Sequence, residues 1–352
     1  MKKILACIFT IIIIAGGGYF IYLNASYYRL DDDLPLYVIN DVTKKIDHAD
    51  ELTITSANIG YGAFDKDFSF FMDGGTSATV SYDEAKFNID NLITPIKDLD
   101  PDFSFFQEVD YDSTRTQKLN ENYYINMIYD TYSNVYAQNY DSPFIAWPLN
   151  DMFGKVTAGL STYSKYQVES ATRYSLPISD SLTKFLDLDR CYIVTRIPVD
   201  NGKELVLINC HTSAYGADEE IIKEQTQKIL NTMQEEYDKG NYVIAGGDFN
   251  QDMIGDSDHI FNNDAKTWAK PFDFSLVPDN IKVVSKEYYD NGILVEPTCR
   301  NANKPYDGSN EVWIIDTFLV TNNIKVNDYS TLNLNFEYSD HNPIIMKFKL
   351  KP

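Results

Sequence analysis

Basic residues and histidine are scarce in this sequence. Its 352 residues include 30 Lys and Arg against 52 Asp and Glu, with only 4 His, and the formal net charge is −22. Non-specific binding to a nucleic-acid backbone needs clustered Lys and Arg, and the sequence contains no such cluster. The composition therefore disfavours a protein that coats polyanions, although a bound metal ion can offset the repulsion locally.

Cysteine is also sparse. Of the 4 Cys residues, Cys7 lies in an apolar N-terminal run, and the three others show no paired CxxC spacing typical of zinc sites. Cys191 and Cys210 fall on the two arms of a predicted hairpin, where a shift of one residue in register would separate them. We predict neither a disulfide nor a structural zinc site.

A long apolar run occurs only once, at residues 4–23. These twenty uncharged residues would form a helix of about 30 Å, which matches the hydrocarbon core of a bilayer. Lys2 and Lys3 favour a cytoplasmic start at residues 1–3 and place the rest of the chain outside the cytoplasm. A cleaved signal peptide has the same order of charged and apolar residues, but its apolar core is typically about 7 to 15 residues long. We therefore predict a retained single-pass membrane anchor.

Predicted strands outnumber predicted helices in the rest of the chain. Residues 24–50 are polar and typical of a linker, and residues 51–352 form one predicted domain without an internal repeat. Helical spacing of apolar residues predicts helices at 81–98 and 219–238. Apolar runs and alternation predict strands at 52–60, 103–109, 190–198, 204–210, 243–247, 312–320 and 342–350. We expect packed sheets with helices outside them, rather than an alternating parallel fold.

Polar side chains lie at or near the ends of several predicted strands. They are Asn58, Glu108, His211, Asp248, Asn250, Asp316, Asp340 and His341. A single Asp or Asn at a strand end is usually a cap or turn residue. This set is rich in carboxylates and includes two of the 4 histidines, so we expect its members to share one cavity.

These residue types suit metal-assisted hydrolysis of a phosphate ester. Mg²⁺ prefers oxygen ligands and usually takes one or two protein carboxylates, leaving its other positions to water and phosphate. Glu108 and Asp340 suit that task. The attacking water must also be held in line and lose a proton, which either Asp248, oriented by Asn250, or His341 could accept.

Two glycines, Gly246 and Gly247, directly precede Asp248. We expect them to allow close approach of substrate and metal to the main chain, because any side chain would intrude there. This expectation concerns the backbone of the strand that carries Asp248.

Six short blocks of the chain resemble those of the endonuclease/exonuclease/phosphatase superfamily of divalent-metal phosphoesterases, whose fold is DNase I-like. They occur in the family's order and span residues 52–350: TSANIGYGA, DPDFSFFQEVD, VLINCHTSAYG, GGDFNQD, IIDTFLV and YSDHNPI. Single blocks such as GDFN are short, but six in order are specific. The resemblance implies a four-layer αββα sandwich of the α/β (α+β) class, in which two packed mixed sheets are flanked by helices.

The resemblance also implies a metal site and its cofactor. Glu108, with Asn58 nearby, resembles the main metal site of the family, and Asp340 resembles a further metal contact. The expected cofactor is Mg²⁺, with Mn²⁺ as an alternative. The implied enzyme is a metal-dependent phosphoric ester hydrolase.

The implied catalytic residues are His211, Asp248, Asn250, Asp316 and His341. Asp316 would orient His341, whose counterpart contacts the scissile phosphate or acts as the base. Asp248 is the other candidate for activating water, with Asn250 holding either Asp248 or a phosphate oxygen. His211 resembles a histidine that stabilises charge on the phosphoryl oxygens.

Residues outside these blocks carry further expectations. Arg190 stands where relatives often have a basic residue, so it is a candidate substrate-binding residue, with a structural ion pair as the alternative. We expect Asp110 and Arg115 to pair and brace the Glu108 loop. Residues 70–75 are expected to be buried, with a lid over the substrate as the alternative.

Three functions compete. The first is an extracytoplasmic phosphodiesterase or phosphatase acting on a small molecule or lipid head group, which the anchor and the acidity favour. The second is a surface nuclease cleaving extracellular DNA or RNA, which the net charge mildly disfavours. The third is a non-catalytic binding protein on the same fold, which the complete set of acidic and imidazole residues argues against. We infer no protein partner.

Overall fold

The computed structural model describes residues 1–40, 42–185, 187–214, 217–263 and 269–352. The end of the third sequence block, at Tyr215 and Gly216, lies outside these ranges. The helices are α1 (Lys2–Ser26), α2 (Tyr82–Asp98), α3 (Glu121–Ile128), α4 (Glu219–Asp238), α5 (Ser257–Phe261) and α6 (Val284–Asp290). The strands are β1 (Leu34–Pro35), β2 (Val38–Ile39), β3 (Glu51–Asn58), β4 (Phe103–Asp110), β5 (Ser133–Asp141), β6 (Thr157–Ser164), β7 (Ser170–Ser175), β8 (Cys191–Pro198), β9 (Glu204–His211), β10 (Tyr242–Asp248), β11 (Ile281–Val283), β12 (Cys299–Arg300), β13 (Val312–Trp313), β14 (Asp316–Thr321), β15 (Ile324–Thr331) and β16 (Ile344–Leu350).

Two seven-stranded mixed sheets are flanked by helices, as expected. The strand order is β1-β7-β8-β9-β10-β14-β11 in one sheet and β15-β16-β3-β4-β6-β5-β2 in the other. The pairs β3–β4 and β9–β10 are parallel. Each of these parallel pairs is connected through a long helix, α2 or α4, because parallel neighbours need a crossover connection. Each sheet therefore contains one unit in which a helix connects two parallel strands.

The crossover helices are amphipathic. Ser81 caps α2 by accepting a hydrogen bond from the amide of Glu84 at 3.2 Å, and the spacing of Ala85, Ile89 and Leu92 places these side chains on one buried face. Asp218 caps α4 in the same way. Apolar residues from facing strands of the two sheets, including Ile54, Phe105, Leu207, Ile244 and Phe318, form the central core. Full burial of such side chains contributes about 1.5 to 3 kcal/mol each.

A polar pair within this core connects the two sheets. Gln107 of β4 donates from Nε2 to Oδ1 of Asn209 of β9 at 2.8 Å, and Asn209 donates from Nδ2 to the carbonyl of Ser161 at 2.9 Å. A fully bonded buried network favours one register of the packed elements. Glu108 follows Gln107 directly, and His211 follows Asn209 by two residues, so the two side chains are held in a defined relation across the sheets.

The segment 312–320, predicted as one strand, is divided in the structure. Val312 and Trp313 pair with β12, whereas β14 begins at Asp316 in the seven-stranded sheet that contains β10. Between them, the amide of Ile315 donates to Thr298 Oγ1 at 3.0 Å. Asp316 and Thr317 interrupt the apolar run, and this polar interruption, interpreted as lying within one strand, coincides with the change of sheet.

Residues 24–50, predicted as a linker, pack along the domain over part of their length. Strand β1 pairs with β7 and β2 pairs with β5, so the segment adds an edge strand to each sheet. Ile46 is fully buried. The boundary between linker and domain stays a prediction.

Helix α1 is long and apolar enough to cross a membrane, criteria that an N-terminal signal sequence also meets. The four cysteines are free in the structure. In the hairpin β8–β9, Cys210 lies opposite Tyr192 rather than Cys191.

Candidate active site

The predicted polar residues meet at one end of the two sheets. Strands β9 and β10 are parallel, so their last residues, His211 and Asp248, lie side by side. Strand β14 runs the other way, and its first residue, Asp316, pairs with Asp248. In the facing sheet, Asn58 ends β3 beside Gln107, the residue before Glu108. Strand direction therefore brings distant parts of the chain to one edge.

Asn58 connects carboxylates from both sheets. Its Nδ2 donates to Glu108 Oε1 at 3.1 Å and to Asp248 Oδ2 at 3.0 Å. Its Oδ1 accepts from the amide of Gly60 at 3.0 Å. In this arrangement Asn58 positions the two carboxylates, and its expected role as a metal ligand stays a prediction.

The two site histidines flank Asp248. Nδ1 of His341 lies 2.8 Å from Asp316 Oδ2, and Nε2 lies 3.7 Å from Asp248 Oδ2. From the other side, Nε2 of His211 lies 3.5 Å from Asp248 Oδ2 and 4.0 Å from Glu108 Oε1. The contact between Asp316 and His341 is the one that the resemblance implies.

Buried carboxylates in the site hold their protons more tightly than exposed ones. Burial raises the pKa of Asp248 to about 7 against the opposing effect of His341, and the charge of Asp316 adds to the rise. Burial likewise raises the pKa of Asp340 to about 7, with a further contribution from Glu108. Burial is the main cause of both pKa shifts, and repulsion from a neighbouring carboxylate adds to each.

The two imidazoles are shifted in opposite directions. Burial alone would lower the pKa of His341, but the charges of Asp316 and Asp248 raise it well above its usual value. Burial lowers the pKa of His211 well below its usual value, and the charge of Arg190 lowers it further. At neutral pH the arrangement favours a charged His341 beside a neutral His211.

Four residues around the site have a left-handed backbone. The φ angles are +56° at Glu108, +49° at Arg190, +51° at Asn250 and +39° at Tyr61. Such conformations cost about 1 to 3 kcal/mol each for residues other than glycine and cluster at functional sites. At Glu108 the strand β4 is bulged between Phe106 and Val109, which directs the Glu108 side chain into the site.

The structure gives a different reason for the two glycines before Asp248. A Cβ atom on Gly247 would lie 2.0 Å from the carbonyl oxygen of Cys210, and the residue has φ +137°. A Cβ atom on Gly246 would lie 2.4 Å from Cδ1 of Phe318. Close packing against neighbouring strands excludes a side chain at both positions, and the expectation that substrate and metal approach the main chain there stays a prediction.

Asn250 and Arg190 share an acceptor. Asn250 donates from its amide N to Asp248 Oδ1 at 2.8 Å and from Nδ2 to the carbonyl of Thr212 at 3.0 Å. Nη1 of Arg190 donates to the same carbonyl at 2.8 Å, and its Nη2 lies 3.2 Å from Asp187. In the part of the chain that the structure describes, Nε of Arg190 is buried without a hydrogen-bond partner. Arg190 thus makes the structural ion pair and still has a buried donor without a partner.

Asp110 and Arg115 form the structural pair expected from the sequence. The guanidinium donates to Asp110 from Nε at 3.1 Å and from Nη2 at 2.7 Å. It also lies 3.6 Å from the centroid of the Tyr61 ring. Glu121 accepts a hydrogen bond from the amide of Asp110 at 2.7 Å. This buried network supports the bulge that carries Glu108.

A cavity of about 670 Å³ lies over the site. Its polar lining includes seven predicted residues: Glu108, Arg190, His211, Asp248, Asn250, Asp340 and His341. Asn58 and Asp316 contact these residues from outside the lining. Its apolar lining includes Tyr61, Phe64, Phe70, Met72 and Phe153, and the rings of the four aromatic residues contact one another. The cavity therefore has a charged end and an aromatic side.

Sequence reasoning missed most of the aromatic side. Tyr61 lies within the first sequence block, three residues after Asn58, and that position was an available signal. Phe153 belongs to a connection without any motif. Residues 70–75 were expected to be buried, but Phe70, Met72 and Asp73 line the cavity, as the alternative of a lid would require.

The residues present fit a hard divalent cation. Glu108 and Asp340 are carboxylates that line one cavity, and Asp340 has a pKa raised to about 7 by burial and, in part, by Glu108. A cation beside them would relieve this repulsion, and oxygen donors are the ligands that Mg²⁺ prefers. Asp248, Asp316 and His341 also each offer an atom within 4.8 Å of one another.

Sequence comparison agrees with this geometry. The model of the Endonuclease/Exonuclease/phosphatase family matches residues 81–341. The chain belongs to this family. The matched region of the family contains every predicted site residue except Asn58. A comparison with curated proteins gave no significant match.

Solved structures share the fold of the family at low identity. An endonuclease/exonuclease/phosphatase from Beutenbergia cavernae is 15% identical, with a TM-score of 0.59 over 86% of this chain and 72% of that chain. The human Nocturnin catalytic domain with bound sulfate is 16% identical, with a TM-score of 0.54 over 90% of this chain and 97% of that one. D. rerio TDP2 complexed with a single-strand DNA product is 14% identical, with a TM-score of 0.55 over 85% and 99%. These similarities establish the fold.

Proposed function

We propose that the chain is an extracytoplasmic, divalent-metal-dependent phosphoesterase that hydrolyses a phosphodiester or phosphomonoester by in-line attack of water. The observation that carries the proposal is the convergence of Glu108, His211, Asp248, Asp340 and His341 on one cavity. The apolar helix α1 and the two lysines at its start support a membrane anchor with the domain outside the cytoplasm.

Glu108 and Asp340 are the proposed ligands of Mg²⁺, or of Mn²⁺. When bound, the ion would supply Lewis-acid stabilisation of charge on the phosphoryl oxygens. Asn58 holds Glu108 through its hydrogen bond at 3.1 Å. The Nε donor of Arg190, which has no hydrogen-bond partner within the described ranges, is suited to a phosphate oxygen.

Asp248 and His341 have different roles in the proposed reaction. His341 is paired with the buried carboxylate of Asp316 at 2.8 Å, which favours a cationic imidazole that donates to a phosphoryl oxygen. Asp248 is left to take the proton of the attacking water, while the amide of Asn250 holds its Oδ1. His211 donates to the developing charge from the opposite side of Asp248.

Hydrolysis of bis(p-nitrophenyl) phosphate by the full-length chain in detergent tests the proposal. We expect turnover with Mg²⁺ or Mn²⁺ that is lost in His341→Ala. His259→Ala is the matched control, because the His259 side chain is 85% exposed and lies outside the cavity lining. Nicking of plasmid DNA that His341→Ala abolishes, without hydrolysis of other esters, would select a surface nuclease. No turnover, together with no binding of divalent ions by calorimetry, would select a non-catalytic binding protein.

A further inference from the structure

The connection between β5 and β6 carries an exposed apolar segment. Residues 142–150, SPFIAWPLN, contain no charged side chain. Phe144 is 38% exposed, Trp147 60%, Leu149 70% and, just beyond them, Met152 39%. Grouped exposed apolar residues on a soluble surface mark contact with an apolar partner. We call residues 142–153 the apolar loop.

The apolar loop is joined to the C-terminal part of α1 by hydrogen bonds. Tyr19 donates from its hydroxyl to the carbonyl of Phe144 at 2.9 Å and accepts from the amide of Ala146 at 3.2 Å. The hydroxyl of Tyr22 accepts from the amide of Phe144 at 2.9 Å. The rings of Tyr19 and Tyr22 stack with centroids 6.1 Å apart. The loop is therefore fixed to one level along α1.

That level corresponds to the surface of a bilayer. Tyr19 precedes the end of the apolar run at residue 23 by four residues, which is about 6 Å along a helix. Tyr and Trp are enriched at membrane–water interfaces, where an apolar ring and a polar tip are both accommodated. The loop thus sits where α1 would leave the hydrocarbon core, and a bilayer is the apolar phase that α1 itself enters.

The far end of the apolar loop reaches the cavity. Phe153 lines the cavity, and its ring lies 6.5 Å from that of Tyr61, 6.4 Å from that of Phe70 and 5.9 Å from that of Phe71. An aromatic wall beside a charged phosphate site suits a substrate that has an apolar part next to its phosphate. Free sugar phosphates have no such part. The bases of nucleotides also stack on aromatic rings, and it is the membrane contact of the apolar loop that favours a lipid here.

We propose that the apolar loop inserts into the outer leaflet of the membrane that α1 spans, and that the cavity takes a phosphoester lipid from this leaflet. The hydrolysis rests on the function proposed above, whereas the membrane contact does not. In the reaction a water oxygen forms a new P–O bond, the ester bond to the acyl-bearing alcohol breaks, and that alcohol leaves with a proton. The formal net charge of −22 favours a zwitterionic lipid, because anionic head groups would be repelled.

The membrane contact is tested on the full-length chain in phosphatidylcholine vesicles whose acyl chains are brominated. The difference in emission between wild type and Trp147→Phe isolates Trp147 from the two other tryptophans. We expect Trp147 emission to be blue-shifted and quenched by at least half. Emission of water-exposed Trp147 without quenching would overturn the proposal. The proposal would also be overturned if the wild-type chain formed a dimer in detergent, Trp147→Ser dissociated that dimer, and brominated lipid did not quench Trp147. That result would identify a second copy of the chain as the partner.

The substrate class is tested with the double variant Trp147→Ser/Leu149→Ser. We expect hydrolysis of vesicle phosphatidylcholine or sphingomyelin to fall at least tenfold, while kcat on soluble bis(p-nitrophenyl) phosphate stays within twofold. Leu294→Ser is the matched control, because Leu294 is 85% exposed and lies outside the apolar loop. Equal lipid hydrolysis by the double variant, or hydrolysis of the soluble ester without the lipids, would overturn the substrate assignment. Failure to hydrolyse any ester would instead contradict the proposed function.

Discussion

Substitution of Asp316 by Asn tests the assigned role of His341. Asp316 Oδ2 lies 2.8 Å from His341 Nδ1, and both side chains are buried. An amide would leave a neutral hydrogen bond in place of one between charged groups, whose contribution is about 1.5 to 3 kcal/mol. The neutral bond that remains contributes about 0.5 to 1.5 kcal/mol, so about 1 to 1.5 kcal/mol is lost. A tenfold change in rate corresponds to about 1.4 kcal/mol, so kcat should fall by about 5- to 12-fold. KM should change little, because Asp316 does not line the cavity.

The assay is steady-state hydrolysis of bis(p-nitrophenyl) phosphate, together with thermal unfolding of the same samples. Within the described ranges, Oδ1 of Asp316 is buried without a hydrogen-bond partner. Removing the charge should therefore leave the melting temperature unchanged or raise it. Asp328→Asn, at an exposed position, is the control that removes one charge without touching the site. An unchanged kcat in Asp316→Asn would refute the reasoning, and a fall in kcat matched by a loss of fold would reduce Asp316 to a structural role.

Two further predictions concern stability. Burial alone would raise the pKa of Glu236, but two hydrogen bonds from Arg196 lower it to about 2. Glu236→Gln should therefore lower the free energy of unfolding, measured in urea at pH 7, by about 1 to 2 kcal/mol. The difference in stability from wild type should vanish as pH falls from about 4.3 towards 2. A difference in stability that does not depend on pH would contradict this. Gly247→Ala should lower the free energy of unfolding by about 3 kcal/mol or more, because its Cβ would lie 2.0 Å from the Cys210 carbonyl oxygen. Gly308→Ala, also at positive φ but in open space, should lower it less. Equal losses in the two variants would assign the cost to φ alone.

The membership of the site could be predicted because strand direction determines it. His211 and Asp248 end neighbouring strands of one sheet, and the polar character of each contrasts with the apolar residues before it. The pairing of Asp316 with His341 followed from the family resemblance. Residue type and strand order therefore sufficed to name the polar end of the cavity.

The geometry of the site could not be predicted in the same way. The left-handed backbone of Glu108 depends on a bulge in β4 that no local residue type indicates. The run 312–320 changes sheets between Trp313 and Asp316, and a polar residue such as Asp316 can equally lie within a strand or begin one. The aromatic wall joins Tyr61 with Phe153, which are far apart in the chain and meet only through tertiary packing.

Titration of activity with a divalent ion tests the central claim most directly. After removal of metal with a chelator, the full-length chain should have no activity on bis(p-nitrophenyl) phosphate and should regain it with Mg²⁺ or Mn²⁺. Glu108→Gln should raise the ion concentration for half-maximal activity at least tenfold, since it removes one of the two proposed carboxylate ligands, both of which line the cavity. Activity that persists without metal, or an unchanged titration in Glu108→Gln, would contradict the account.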